Sequence, residues 1–373
     1  MTSESPGSRL SDAGLVALPP QPAGVPWPGS DWPCGPVPGG VRIAELVEAM
    51  FTDTSLYGST YAVVVVHHGR LVTERYGGIL EPIDSRAEPV GRDSRLVSWS
   101  MAKSMLHATV GVLVGEGRLA LDEPAPVPAW SGESDPRRTI TLQHLLEMRD
   151  GLDFAEDYVD GETSNVIEML FGAGQSDVAA YACSRPLAVP PGTRFSYSSG
   201  TSNIISAIVA RTVGKGSAYQ GFLEERLFGA IGMSSAQPRF DDAGTWVASS
   251  YVHATARDFA RFGLLYLRDG IWGGARVLPH GWVDHGRKLR SIDPEDGALY
   301  GAHWWVVRDA QGSFRAAGYE GQSILICPAL DLVVVRLGKT PAVQSPNLVT
   351  WRAKVVDAFA TTYSSPQVEL PAS

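Results

Sequence analysis

Apolar residues along the 373-residue chain change their spacing several times, and each spacing predicts a different kind of structure. Residues 1–40 hold neither a helical nor a strand period. Their run PPQPAGVPWPGSDWPCGPVPGG carries too much proline and glycine for a helix or a sheet ladder, which predicts an extended arm anchored by Trp27 and Trp32. From residue 41, Ile43, Leu46, Val47 and Met50 fall on one face of a short helix. TYAVVVVHHGRLVTERYGG then reads as a hairpin turning at His68-Gly69, its first strand largely buried.

Between about 98 and 290 the period is mostly helical. Leu142, Leu145 and Leu146 follow Thr141, a suitable N-cap, and the segments TSNIISAIVARTVG, YQGFLEERLFGAIGM and ARDFARFGLLYLRDG repeat the pattern. After 298, LYGAHWWVV, SFRAAG, QSILICP and LDLVVVRLG read as successive strands, and WRAKVVDAFATTY as a closing helix. The simplest closure is an α/β fold of the α+β type. Residues 41–97 and 291–373 supply one antiparallel sheet with flanking terminal helices, and residues 98–290 supply a large, mostly helical domain.

Composition narrows the partners. A net charge of −9 with scattered basic residues disfavours nucleic acid and anionic membrane surfaces. No apolar run is long enough to span a bilayer and MTSESPGSRL lacks the marks of a secretory signal, so a cytoplasmic protein is expected. Cys34, Cys183 and Cys327 lie far apart, outside any zinc or disulfide pattern, and each is expected to be a buried free thiol. His67 and His68 are strand neighbours without a partner motif, so no metal site is expected.

Candidate chemistry begins in SWSMAKSMLHATVGVLV, residues 98–114. Ser100 and Lys103 stand three apart and share a helical face, inside a helix apolar on all sides. An ammonium there loses hydration, and lowering a lysine from about 10.4 to near neutrality takes roughly 3 units, within the documented range for burial. Ser100, at the start of the helix, also brings an orphan N–H suited to a developing oxyanion. By itself the spacing is a weak motif, and it suits a capping serine with a lysine that snorkels or pairs with a distant acid. A second element, PPGTRFSYSSGTSNIISAIV, holds Tyr197 on a short connection before a helix. A phenol beside an ammonium is expected to have its pKa lowered and to shuttle a proton.

With S-M-A-K at 100–103, Y-S-S at 197–199 and a glycine-bearing strand near the C-terminus, the chain resembles the serine β-lactamase and penicillin-binding-protein superfamily. It is most similar to the class C-like esterase and amidase branch that includes the 6-aminohexanoate-dimer (nylon-oligomer) hydrolases, and LVGEGRLALDEP, LDFAEDYVD, ATARDFARFG and GYEGQ support this. The resemblance implies a β-lactamase/transpeptidase-like fold and a serine hydrolase of small amides or esters. It implies Ser100 as acylated nucleophile, Lys103 as its activator and Tyr197 as general base and acid. It also implies an oxyanion hole from the backbone N–H groups of Ser100 and Tyr319, and substrate contacts from Tyr158, Ser199, Gly318 and Glu320.

No metal or cofactor is needed, and the expected partner is a small-molecule substrate of a monomer or homodimer. Two alternatives stay open: a carboxylesterase or transacylase of the same fold, and a binding or sensor module that acylates once. Ala316-Ala317-Gly318 stands where β-lactamases and DD-peptidases carry Lys-Thr-Gly or His-Thr-Gly, which argues against β-lactam recognition. Lys339-Thr340 does not restore that motif, because Pro341 follows.

Overall fold

The computed structural model describes residues 14–38, 41–80, 87–157 and 164–364. Its principal sheet joins strands from both ends of the chain. They are β1 (Ser59–His67), β2 (Arg70–Tyr76), β3 (Ser291–Ile292), β4 (Leu299–Tyr300), β5 (Trp305–Val306), β6 (Phe314–Gly318), β7 (Gln322–Cys327) and β8 (Leu332–Lys339). The order across the sheet is β3-β4-β5-β6-β7-β8-β1-β2, all antiparallel, so β1 pairs with β8 from near the other terminus.

The valine run of β1 is buried on both faces, which is why it lacks polar alternation. Val63 and Val65 join the layer of helices α1 (Ile43–Thr52) and α5 (Ser345–Ser364). Ala62, Val64 and Val66 point into the larger core, shared with α2 (Ala102–Gly115), α3 (Ser199–Val213) and α4 (Ala256–Leu267). Helix α4 departs from the expected division. It belongs to the 98–290 segment, yet it packs directly on β1, β7 and β8. Gly263 permits this, since a Cβ there would lie 2.6 Å from Val333 Cγ1 and 2.8 Å from Ile324 Cγ2.

The arm from residue 14 runs without helices over the body. Trp27 packs on Trp272 at 5.1 Å between ring centroids, and Trp32 is buried beneath the Arg261 guanidinium. Cys34 corrects the expectation of buried thiols. It is exposed on the arm where the chain bridges to Leu71, and Cys183 is only half-buried, while Cys327 is buried as expected; partial burial pushes Cys183 up to about 11 and full burial pushes Cys327 up to about 12. Among the described residues no helix is long and apolar enough to cross a membrane, and no group of His, Cys, Asp and Glu is arranged to hold a metal.

Candidate active site

Helix α2 begins at Ala102, later than the sequence suggests, because Trp99–Met101 form a separate 3-10 turn. Trp99 has φ +43°, a left-handed conformation that is strained for a bulky residue by roughly 1–3 kcal/mol. The turn is fastened from behind. Ser98 N donates to Val252 O at 2.9 Å, the Ser98 hydroxyl donates to Ser250 O at 3.2 Å, and Val252 N donates to that hydroxyl at 2.9 Å. On its other side the turn meets the end of β6. A Cβ on Gly318 would collide with Ser98 O, so glycine is what lets the strand close on Ser100.

Lys103 is 2% exposed, and its ammonium is fully occupied without a direct carboxylate contact. It donates to Ser100 Oγ at 3.1 Å, Ser199 Oγ at 3.0 Å and Ser249 O at 2.9 Å, which uses all its protons. Nζ also lies 4.8 Å from the Tyr197 ring centroid, over its face. Burial lowers the Lys103 pKa to about 8, and the Glu156 carboxylate opposes the fall. Glu156 accepts from Ser199 N at 2.7 Å and from the Ser199 hydroxyl at 2.5 Å.

Ser249 is held in turn by Asn203. Asn203 Nδ2 donates to Ser249 Oγ and Ser249 N donates to Asn203 Oδ1, both at 3.2 Å. Neither Ser249 nor the Lys103-directed role of Glu156 was visible in the sequence. A backbone carbonyl has no residue signature, and Glu156 lies far from Lys103 along the chain. Asn203 had a weak signal, four residues after Ser199 on the same face of α3.

Tyr197 bonds the Ser100 side chain through its hydroxyl, and its ring packs against Tyr300 and Trp305. Its pKa is raised, which corrects the expected lowering. Burial is the largest cause and Glu156 adds to it, while Lys103 faces the ring rather than the phenol oxygen. Ser199, expected at the substrate, has no exposed surface and links Lys103 to Glu156. Tyr158 lies outside the described residues.

Beyond Gly318 the chain turns through Tyr319, 47% exposed, and Glu320, left-handed at φ +59°. Arg336 Nη1 and Thr340 N both donate to Glu320 O at 3.0 Å, and Gln322 Nε2 donates to Tyr319 O at 3.0 Å. This lattice fixes the Tyr319 peptide near the nucleophile turn. The Trp99 ring edge meets Tyr319 at 5.9 Å.

Cavities of opposite character flank the site. One of about 430 Å³ reaches Tyr197 and is lined by Glu156, Asp157, Asp293 and Glu295 with Arg194. The other, about 750 Å³, reaches Gly318 and Tyr319 and carries Arg315, Lys339 and Arg352 with Asp296 and Glu320. Burial raises the Glu320 carboxyl, against the pull of Lys339.

Comparisons with known proteins place the fold and the family. The chain is 30% identical over 269 residues to the 6-aminohexanoate-dimer hydrolase of Paenarthrobacter ureafaciens, covering 67% of each. It superposes on a Bacillus anthracis structure assigned as a 6-aminohexanoate-dimer hydrolase with a TM-score of 0.73 at 23% identity, over 95% of this chain and 92% of the other. A family VIII carboxylesterase shares the fold with a TM-score of 0.66 at 15% identity, over 87% of this chain and 98% of the other. The Beta-lactamase family model matches residues 51–356, and with the serine, lysine and tyrosine gathered at one edge of the sheet, the chain belongs to the β-lactamase family.

Proposed function

We propose that the protein is a serine hydrolase that cleaves small amides or esters through an acyl-enzyme on Ser100, with activity like that named for its 6-aminohexanoate-dimer hydrolase relative. The observation that carries this reading is the Lys103 ammonium, 2% exposed and bonded to Ser100 Oγ at 3.1 Å, with its pKa lowered to about 8. Near neutral pH a usable fraction of Lys103 is neutral and can take the Ser100 proton as Oγ attacks the carbonyl carbon. Backbone N–H groups of Ser100 and Tyr319 receive the negative oxygen of the tetrahedral intermediate. Tyr197, kept protonated by burial, donates to the departing nitrogen or oxygen. In the second step its phenolate takes a proton from the water that attacks the ester, and the Lys103 ammonium returns its proton to Ser100 Oγ, which leaves as the free serine.

The acidic cavity beside Tyr197 supports substrates with an ammonium group, and Ala316 in place of a lysine on β6 supports poor β-lactam turnover. The test compares a p-nitrophenyl ester, the 6-aminohexanoate linear dimer and a chromogenic cephalosporin, each with wild type and Ser100→Ala. Turnover of the ester or dimer, abolished in Ser100→Ala, is expected. Full activity in Ser100→Ala would remove the nucleophile assignment. Stoichiometric acylation without turnover would favour the single-acylation sensor.

A further inference from the structure

Arg352 takes no part in the chemistry above and Arg315 touches it only through its charge on Tyr197, yet both are drawn to one place. Arg315 is on β6, where its register partner Leu325 points into the α1/α5 layer, so the guanidinium leaves the sheet toward α5. Arg352 extends from α5, and both line the 750 Å³ cavity that reaches Gly318 and Tyr319. Burial lowers the pKa of each. The charges acting on Arg352 are those of Arg315 and Arg336, and the groups acting on Arg315 are the Tyr197 phenol first and then Asp296, whose carboxylate also accepts from Ala298 N at 2.8 Å. Adjacent half-buried cations that repel one another are stabilised by any anion that enters between them.

We propose that Arg315 and Arg352 form a subsite that holds a carboxylate carried by the substrate, deepening the hydrolase reading on which it rests. Guanidinium forks match a planar carboxylate through paired hydrogen bonds, which a lysine cannot do. Lys339, at the end of β8, adds positive potential to the same cavity. Arg336 is not a competitor for the ligand, since its Nη donors are spent on Glu320 O, Gly321 O, Thr60 and Thr340. The opposite cavity, with Glu156, Asp157, Asp293 and Glu295, repels a carboxylate, so the two cavities impose a direction on a substrate charged at one end or at both.

The probes are N-acetyl-6-aminohexanoate and its terminal carboxamide, bound to the full chain by titration calorimetry, which needs no turnover. Wild type is expected to bind the carboxylate at least about tenfold more tightly, as charge-assisted bidentate bonds imply. Arg315→Gln and Arg352→Gln should each remove most of that preference, and Arg352→Lys, which keeps the charge, should retain part of it. Urea unfolding midpoints check that each variant folds. Equal binding of both probes to wild type overturns the subsite, as does an undiminished preference in both glutamine variants. Loss of the hydrolase reading is seen separately, as ester turnover that survives Ser100→Ala.

Discussion

Replacing Lys103 with methionine keeps an unbranched side chain and removes the buried charge, which makes its energetic cost measurable. In the unfolded chain the lysine holds its proton to about pH 10.4, while in the folded protein burial lowers its pKa to about 8. Below pH 8 the folded state bears the full penalty, about 3 kcal/mol at 1.36 kcal/mol per unit. Between about 8 and 10.4 the unfolded chain holds more protons, so wild-type stability rises with pH in that window. Integrated from about pH 7.5 to about pH 9.5, the wild type gains roughly 2 kcal/mol relative to Lys103→Met. The offset between the two proteins is less telling. Methionine leaves Ser249 O and the two serine hydroxyls without their donor, a loss of about 1–3 kcal/mol per buried group that eats into the gain. Urea unfolding of both proteins across this pH range isolates the pH-dependent part, because titrations that do not sense the Lys103 charge cancel in the difference. A difference that does not change with pH would refute the claim that folding depresses the Lys103 pKa.

Glu156→Gln preserves an acceptor for Ser199 but removes the charge that holds the Lys103 pKa up, so the rising limb of kcat/KM against pH should move to lower pH; an unmoved limb would separate Lys103 from that limb. Tyr197→Phe should reduce kcat/KM on amides by roughly 100- to 10,000-fold, and by less on p-nitrophenyl esters, whose leaving group needs no proton. Gly318→Ala drives a methyl into Ser98 O and to 3.1 Å from Trp99 Cβ, so kcat should fall more than KM rises, with a stability loss of about 1–3 kcal/mol by unfolding.

Local geometry was legible in the sequence wherever one residue's period decided it. The valines of β1 and the turn at His68-Gly69 announced a hairpin, and S-M-A-K announced a serine and a lysine on one helical face. Thr141 does cap its helix, its hydroxyl accepting from His144 N at 3.1 Å. What failed was anything set by distant packing. An apolar helix says that it is buried but not against what, so α4 was grouped with the helical segment although it covers the sheet. The Tyr197 pKa went the wrong way because neighbourhood was judged by charge type, while the structure aims the ammonium at the ring face and buries the oxygen beside Glu156. Cys34 was misplaced because a thiol on a proline-rich arm follows the arm rather than the core.

Three cations at this edge of the sheet, Lys103 and Arg336 buried and Arg352 half-buried, show that burial alone does not assign a role; the partners do. Arg336 spends its Nη donors on carbonyls and hydroxyls of the Glu320 turn, β1 and Thr340, so its charge serves to fasten the Tyr319 peptide. Lys103 is given hydroxyls and one carbonyl, neutral acceptors that satisfy the ammonium without locking the proton in place. The one carboxylate that acts on it, Glu156, does so through Ser199 and keeps its pKa from falling further. Arg352 is turned toward a cavity with two other arginines acting on it. A cation bonded to fixed carbonyls is structural, one bonded to movable protons is chemical, and one left facing a cavity beside like charge is suited to a ligand. The same low dielectric makes each useful, because it strengthens the fixed bonds, lowers the lysine toward neutrality and raises the gain from an incoming anion.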